Sequence, residues 1–189
     1  MDVIKLLVAD HNRLRGLFAR FRDAQKDADS TAMIEVAGRI FDELKVHTTL
    51  EEEIFYPAVY VTTYELAEQV DEAVQEHHLA DTLMGELGQV EAASDEWQAK
   101  MAVLIEMVEH HAGEEETSMF PQTRSQLRSA TLETMANRVE GRKLSLGVPV
   151  LEDMLDLTKE ELVELAREQR IPGRSKMSRE ELAATVSPG

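Results

Sequence analysis

The sequence predicts an all-α protein: an antiparallel up-down four-helix bundle, followed by one additional helix and a small helical module. Three observations carry this. Only 9 Gly and 5 Pro occur in 189 residues otherwise rich in Ala, Leu, Glu, Met and Gln, a composition that favours helix almost throughout. Apolar residues recur at three- and four-residue spacing through four long segments. The connections between those segments are short, as antiparallel neighbours require.

In the first segment Ile4, Leu7, Val8, His11, Leu14, Leu17, Phe18 and Phe21 form one stripe, giving a helix from about Asp2 to Gln25. Asp27 to Ser30 is a polar connection. The second stripe runs Met33, Ile34, Ala37, Ile40, Phe41, Leu44, His47, Leu50, Glu51, Ile54, and Pro57 ends or kinks it. Thr62 and Glu65 have the capping-box spacing and open a third helix with Leu66, Val70, Ala73, Val74, His77, Met84 and Leu87 on one face. Ser94, with Asp95 and Glu96 in the first turn, opens a fourth, which carries Met101, Leu104, Ile105, Val108 and His111 inward and ends near Phe120-Pro121. A further helix over about Leu132 to Leu144 is expected on the outside of the bundle.

Gly147 and Pro149 make Arg142 to Val150 the best boundary, dividing the chain into a bundle over 1–145 and a module over 151–189. In the module, Thr158 with Glu161 and Ser178 with Glu181 are capping boxes on either side of Ile171-Pro172-Gly173-Arg174, which reads as helix, extended loop, helix.

Lys and Arg total 20 against 37 Asp and Glu, and the net charge of −17 disfavours capture of a nucleic-acid backbone by the surface as a whole. The absence of cysteine removes disulfides, iron–sulfur clusters, thiolate zinc sites and thiol nucleophiles. Any metal must therefore use His, carboxylate or phenolate. Neither a basic-then-apolar N-terminus nor a run of roughly 18 apolar residues is present, so no membrane association and a cytoplasmic location are expected.

The chain repeats itself. His47-Thr-Thr-Leu-Glu51-Glu52-Glu-Ile-Phe-Tyr56-Pro57 lies over His111-Ala-Gly-Glu-Glu115-Glu116-Thr-Ser-Met-Phe120-Pro121, with His, the first paired Glu and Pro in register. Asp10-His11 and Glu76-His77 are acid–His pairs upstream of each segment. The pattern is two helical hairpins related by an approximate twofold, with the chemistry at the centre.

His47 with Glu51, and His111 with Glu115, each place an imidazole and a carboxylate on one helical face. His11 and His77 face the same interior from the other two helices. Burying four His and two Glu without partners would cost several kcal/mol for each unpaired charge, more than a fold of about 5–15 kcal/mol can absorb. Two metal ions neutralise the set: carboxylates bridge and imidazoles terminate. If both Glu bridge, the six residues fill about eight of roughly twelve octahedral positions, and a solvent-derived oxo or hydroxo bridge adds two more. Positions remain for a small ligand. Closed structural zinc leaves no such vacancy and calcium does not use this many imidazoles, so two iron ions lead, with manganese or zinc behind. A ferritin-like centre needs Glu-x-x-His, and a zinc protease needs His-Glu-x-x-His; neither motif is present.

The set His11, His47-x-x-x-Glu51, His77, His111-x-x-x-Glu115 resembles the hemerythrins and their bacterial relatives, the HHE cation-binding proteins, over roughly residues 1 to 145. The resemblance implies a four-helix bundle around a non-haem di-iron centre that binds or reacts with dioxygen, peroxide or nitric oxide. It departs from the oxygen-carrier pattern, which has a second His four residues after the third-helix ligand and Asp as the last carboxylate: here these are Asp81 and Glu115. Reactive or sensory chemistry is expected in place of oxygen transport, with decomposition of hydrogen peroxide the most concrete activity. Tyr56, whose counterpart is Phe120, either fills the vacated position as a phenolate ligand or is a buried tyrosine hydrogen-bonded near the helix end. Glu52 and Glu116 read as solvated neighbours of the bridges, with support of a metal ligand as the alternative, and His78 and His110, turned about 100° from the ligand histidines, as ligand-supporting or surface residues. Residues 151 to 189 resemble the helix-extended-loop-helix modules of the Rho N-terminal or SAP type. Arg170, Arg174, Lys176 and Arg179 form a basic cluster there, but no aromatic is available for base stacking. Docking on the bundle or on a protein partner is expected ahead of nucleic-acid contact.

Overall fold

The computed structural model describes residues 1–148 and 157–186. Among them it is all-helical, and the bundle is built from two hairpins. Helix α1 (Val3–Lys26), capped by Asp2, pairs with α2 (Ser30–Leu50), capped by Asp29. Helix α4 (Tyr64–Leu87) pairs with α5 (Asp95–Glu114), whose cap Ser94 accepts from the Trp97 N–H. Thr63 caps α4 through the Leu66 N–H, one residue later than the expected box. Thr62 instead turns its hydroxyl back onto the Val59 carbonyl at 2.6 Å.

Neither proline ends its helix. Each follows a five-residue π turn, Glu51–Phe55 after α2 and Glu115–Met119 after α5, and the helix then runs on as α3 (Tyr56–Tyr60) or α6 (Phe120–Gln126). A proline offers no N–H and crowds the carbonyl four residues back. The widened turn accommodates that ring, with the Tyr56 and Phe120 N–H groups reaching five residues back to the Glu51 and Glu115 carbonyls. The turn has a second effect. Five residues along an α-helix, side chains point about 140° apart; the extra residue in the turn brings position 56 round to the side of Glu51, and 120 to the side of Glu115. π turns of this kind recur at functional sites.

The apolar core divides into two layers. One holds Leu6, Leu7, Leu50, Phe55, Leu66 and Phe120. The other holds Leu14, Phe18, Phe21, Ile40, Met101, Leu104 and Trp97. His11, His47, His77 and His111 lie in sequence between the residues of these layers on each long helix, so a buried polar stratum separates two hydrophobic ones. Ile34, expected in the stripe, is 45% exposed.

Helix α7 (Ser129–Ser145) packs outside the bundle against α1 and the first π turn, as expected, through Leu132, Met135, Ala136 and Val139. It ends in a Schellman motif: Gly147 adopts a positive φ of 71°, and the Val148 N–H reaches the Lys143 carbonyl at 3.0 Å. The proline of the expected boundary, Pro149, lies outside the described residues, as do the first and last residues of the expected module. The described part comprises α8 (Lys159–Glu168), a short 3-10 turn (Arg174–Lys176) and α9 (Arg179–Thr185), around Leu162, Ala166, Ile171, Leu182 and Val186. Both expected capping boxes form. Helix α9 packs on α1. The approach is close: a Cβ on Gly16 would lie 2.5 Å from the Gln169 carbonyl oxygen.

Candidate metal centre

Each long helix delivers one histidine to the central stratum, because positions 11, 47, 77 and 111 fall on its inward stripe. All four are buried, as are Glu51 and Glu115 at 0% and 2% exposure. The imidazoles pair across the hairpins: His11 Nε2 is 3.1 Å from His47 Nε2, and His77 Nε2 is 3.2 Å from His111 Nε2. For an ion about 2.0–2.1 Å from each nitrogen, ligands at right angles are about 3.0 Å apart. The carboxylates lie between the pairs. Glu51 Oε2 is 3.2 Å from His47 Nε2 and 3.3 Å from His77 Nε2. Glu115 Oε2 is 3.3 Å from His11 Nε2 and 3.7 Å from His111 Nε2. Two overlapping donor sets result, His11, His47, Glu51 and Glu115 on one side and Glu51, His77 and His111 on the other, each within 4.8 Å. All six residues singled out in the sequence are thus brought together, and Glu51 belongs to both sets.

Tyr56 joins them. Its Oη is 2.9 Å from Glu115 Oε1, 3.3 Å from Glu51 Oε2 and 3.4 Å from His77 Nε2. Burial and the charges of Glu51 and Glu115 push its pKa well above 10, so in the protein alone the phenol keeps its proton and donates to Glu115. Phe120, its counterpart, stacks on His11 with centroids 5.8 Å apart.

The outer nitrogens of the imidazoles face a second ring, of carboxylates. Glu116 Oε1 is 2.8 Å from His11 Nδ1, Glu52 Oε1 is 2.9 Å from His77 Nδ1, and Glu76 Oε2 is 2.7 Å from His111 Nδ1. Asp10 Oδ2 stands 4.0 Å from His47 Nδ1. Glu76 therefore serves the histidine of the neighbouring helix, not the one beside it in sequence, and Asp10 faces His47 in the same way but beyond hydrogen-bond distance. Glu52 and Glu116 each face an imidazole across the bundle, the supporting role that was the alternative to a solvated one. A carboxylate on Nδ1 fixes the ring and directs the Nε2 lone pair to the centre. The signal was present in the repeat, where all four acids recur in matching positions. Asp81 and His78 are exposed, and His110 is 66% exposed.

Charge bookkeeping favours cations at the centre. Burial opposes protonation of His11, yet Glu115 and Glu116 push its pKa up to about 9. His77 and His111 are likewise raised against burial, chiefly by hydrogen bonds with Glu51. Against its own burial, Glu51 is held well below the carboxylate range by His47, His111 and His77. Even so, Glu51 Oε1 and Glu115 Oε2 are buried with no hydrogen-bond partner among the described residues. Two orphaned carboxylate oxygens amid four convergent imidazole nitrogens fit nitrogen- and oxygen-preferring divalent ions.

The family model of the hemerythrin HHE cation-binding domain matches residues 2–123, a span containing every residue of both rings. The chain belongs to the hemerythrin HHE family. A DNA nickase from Nostoc sp. (strain PCC 7120) is 26% identical to this HHE protein over 142 residues, 75% of this chain but 38% of the relative, so the chain spans well under half of that protein's length. The crystal structure of an HHE cation-binding domain-containing protein from Mycobacterium kansasii matches with a TM-score of 0.64 at 20% identity, covering 98% of this chain and 99% of that one. The shared fold therefore extends beyond the bundle. No helix among the described residues is long and apolar enough to cross a membrane.

The six-residue ring adjoins a surface cleft. A cleft of about 250 Å³ between α4 and the second π turn is lined by Gln69, Glu72, Glu76 and Ser118 and has His111 and Glu115 at its inner end. On the opposite side Asp10 is sealed under α7. It binds Lys143 Nζ at 2.7 Å and also pairs with Arg13. Both cations, against burial, hold its carboxyl far below the usual range. Lys143 is a buried ammonium in line with Leu132, Met135, Ala136 and Val139.

Proposed function

We propose that this HHE protein holds two iron ions and binds or reacts with small oxygen or nitrogen-oxide species, most concretely decomposing hydrogen peroxide. The carrying observation is the six-residue ring with two orphaned carboxylate oxygens, one of them on Glu115, which with His111 lines the cleft. His11 and His47 would hold one ion, His77 and His111 the other, with Glu51 and Glu115 shared between them. Bound there, two irons supply a two-electron couple that reduces one peroxide to water and oxidises the next to dioxygen, 2 H2O2 → 2 H2O + O2.

The chain's own residues supply the rest. The cleft's acidic walls, Glu72, Glu76 and Glu114, favour a neutral molecule such as peroxide over an anion. Tyr56 Oη holds a proton between Glu51 and Glu115 and would be the group at the centre able to pass one on. A phenolate ligand at Tyr56 is the alternative use of the same atom. The outer carboxylates keep the rings oriented, and the two apolar layers exclude water. Iron-loaded protein, followed with an oxygen electrode, should evolve dioxygen from peroxide well above an equal concentration of free iron; a rate no greater rejects the proposal.

A second reading, as a sensor signalling through the C-terminal module, is favoured by one contact chain. Asp10 faces His47 and pairs with Arg13, whose Nη1 donates to the carbonyls of Ala184 and Thr185 in α9 at 3.0 and 3.1 Å. A change of charge at His47 therefore has a polar route of two side chains to the module. A nicking activity like that named for the Nostoc relative draws no support from the net charge of −17. Nor does the module's basic cluster help: Arg170 pairs with Asp23 at 2.9 Å, while Arg174 and Arg179 donate to the carbonyls of Ile171 and Leu157.

A further inference from the structure

The internal repeat makes one half of the bundle a control for the other. His110 and Glu114 form another His-x-x-x-Glu pair, one residue out of register with His111 and Glu115 and so turned about 100° around α5. In the first half the equivalent residues are Val46 and Leu50, which pack in the apolar cluster that α7 completes. Glu76 corresponds in the same way to Asp10. In the first half an ammonium sits on that carboxylate, Lys143 Nζ at 2.7 Å. In the second half Glu76 Oε2 accepts from His111 Nδ1, and no Lys or Arg among the described residues forms an ion pair with Glu72, Glu76 or Glu114.

The donor atoms of Glu76, His110 and Glu114 come within 4.8 Å of one another, with His110 Nε2 3.3 Å from Glu114 Oε1. Glu76 and Glu114 line the cleft that ends at His111 and at Glu115, whose buried Oε2 has no hydrogen-bond partner. The half that lacks the Lys143 ammonium is thus the half that has a mixed imidazole and carboxylate cluster on the path to the centre.

We propose that Glu76, His110 and Glu114 form a separate site for a divalent first-row transition cation, from which the buried centre is loaded. One neutral imidazole and two carboxylates offer two negative charges to a dication and suit iron(II), manganese(II) or zinc. The bound ion supplies in the second half the positive charge that Lys143 supplies in the first. Being exposed, the site leaves positions for water and exchanges its ion readily, which suits a staging position. Glu76 touches both sites, since it also holds His111 Nδ1. The loading role rests on the reading of the inner ring as a metal centre; the outer site does not.

Zinc binding by metal-free protein, measured by equilibrium dialysis, tests the site. The wild-type chain should take three ions and the His110→Ala, Glu114→Gln double variant two. Both side chains are exposed, 66% and 52%, so the variant keeps its core. Equal stoichiometry in the two proteins overturns the outer site. One ion in the wild type and none in the variant supports the outer site while refuting the inner centre. The loading role is read with cobalt(II) at equimolar concentration: the visible bands of the buried ions should grow several-fold more slowly in the variant, to the same final amplitude. Equal rates overturn that role.

Discussion

Lys143→Met tests whether α7 is electrically coupled to the centre. Lys143 is 3% exposed and its Nζ lies 2.7 Å from Asp10 Oδ1, while Asp10 is itself 2% exposed. Methionine keeps the packing volume and removes the ammonium, leaving a buried carboxylate short of one partner. Breaking a buried pair in this way costs about 3–5 kcal/mol. Arg13 remains on Asp10, so the lower end applies, about 3 kcal/mol. At about 2–4 °C per kcal/mol for a chain of this size, the melting midpoint should fall by about 6–12 °C. Urea and thermal unfolding followed by circular dichroism, on the wild type, Lys143→Met, Asp10→Asn and the double variant, supplies the assay and a coupling energy. The double variant should be clearly more stable than the sum of the single losses implies. A loss under about 1 kcal/mol for Lys143→Met, or strict additivity, refutes the reasoning, because it places the pair in the regime of solvent-screened surface ions.

Other outcomes follow from the same geometry. His11 is raised from 6.5 to about 9, so its proton stabilises the metal-free fold fully below pH 6.5, and that contribution is lost as pH rises through about 9. Metal-free protein should therefore melt lower at pH 9.5 than at pH 6.5, whereas metal uptake, which expels protons, should tighten over the same range; a flat melting profile contradicts this. Glu52→Gln and Glu116→Gln should each weaken metal binding by about 10–100-fold with the helical content unchanged, read by competition against a chelator. Gly16→Ala pushes a methyl against the Gln169 carbonyl, so it should loosen α8 and α9 and expose that segment to limited proteolysis while the bundle stays intact. Tyr56→Phe should abolish any phenolate-to-iron absorption band of the loaded protein; an unchanged spectrum assigns Tyr56 to hydrogen bonding alone.

Much of the centre was legible in the sequence because its six residues obey α-helical periodicity. His11 and His77 fall between apolar neighbours on their stripes, and the His-x-x-x-Glu pairs lie on one face by geometry alone. Three features escaped that reasoning for physical causes. The π turns change the local period, so residues five apart share a side, and the prolines that mark them read only as an end or a kink at Pro57 and as an end near Pro121. The outer acids act across helices, so adjacency in sequence paired Asp10 with His11 when it faces His47, and made support by Glu52 and Glu116 only the second option. Lys143 stood on an apolar stripe with Leu132, Met135, Ala136 and Val139, where a lysine is informative only once a buried carboxylate is known to face it. The packing of the module on α1 was foreseen as one option, but the carbonyls that bind Arg13 and the close approach at Gly16 depend on tertiary contacts that no local pattern encodes.

The central claim is that the buried ring exists to hold two cations. Anomalous diffraction at the iron absorption edge, from crystals of iron-loaded protein, tests it most directly. The account predicts two strong peaks, one beside the Nε2 atoms of His11 and His47 and the other beside those of His77 and His111, with Glu51 and Glu115 between them. A ring without anomalous density, or a single ion outside it, would contradict the account.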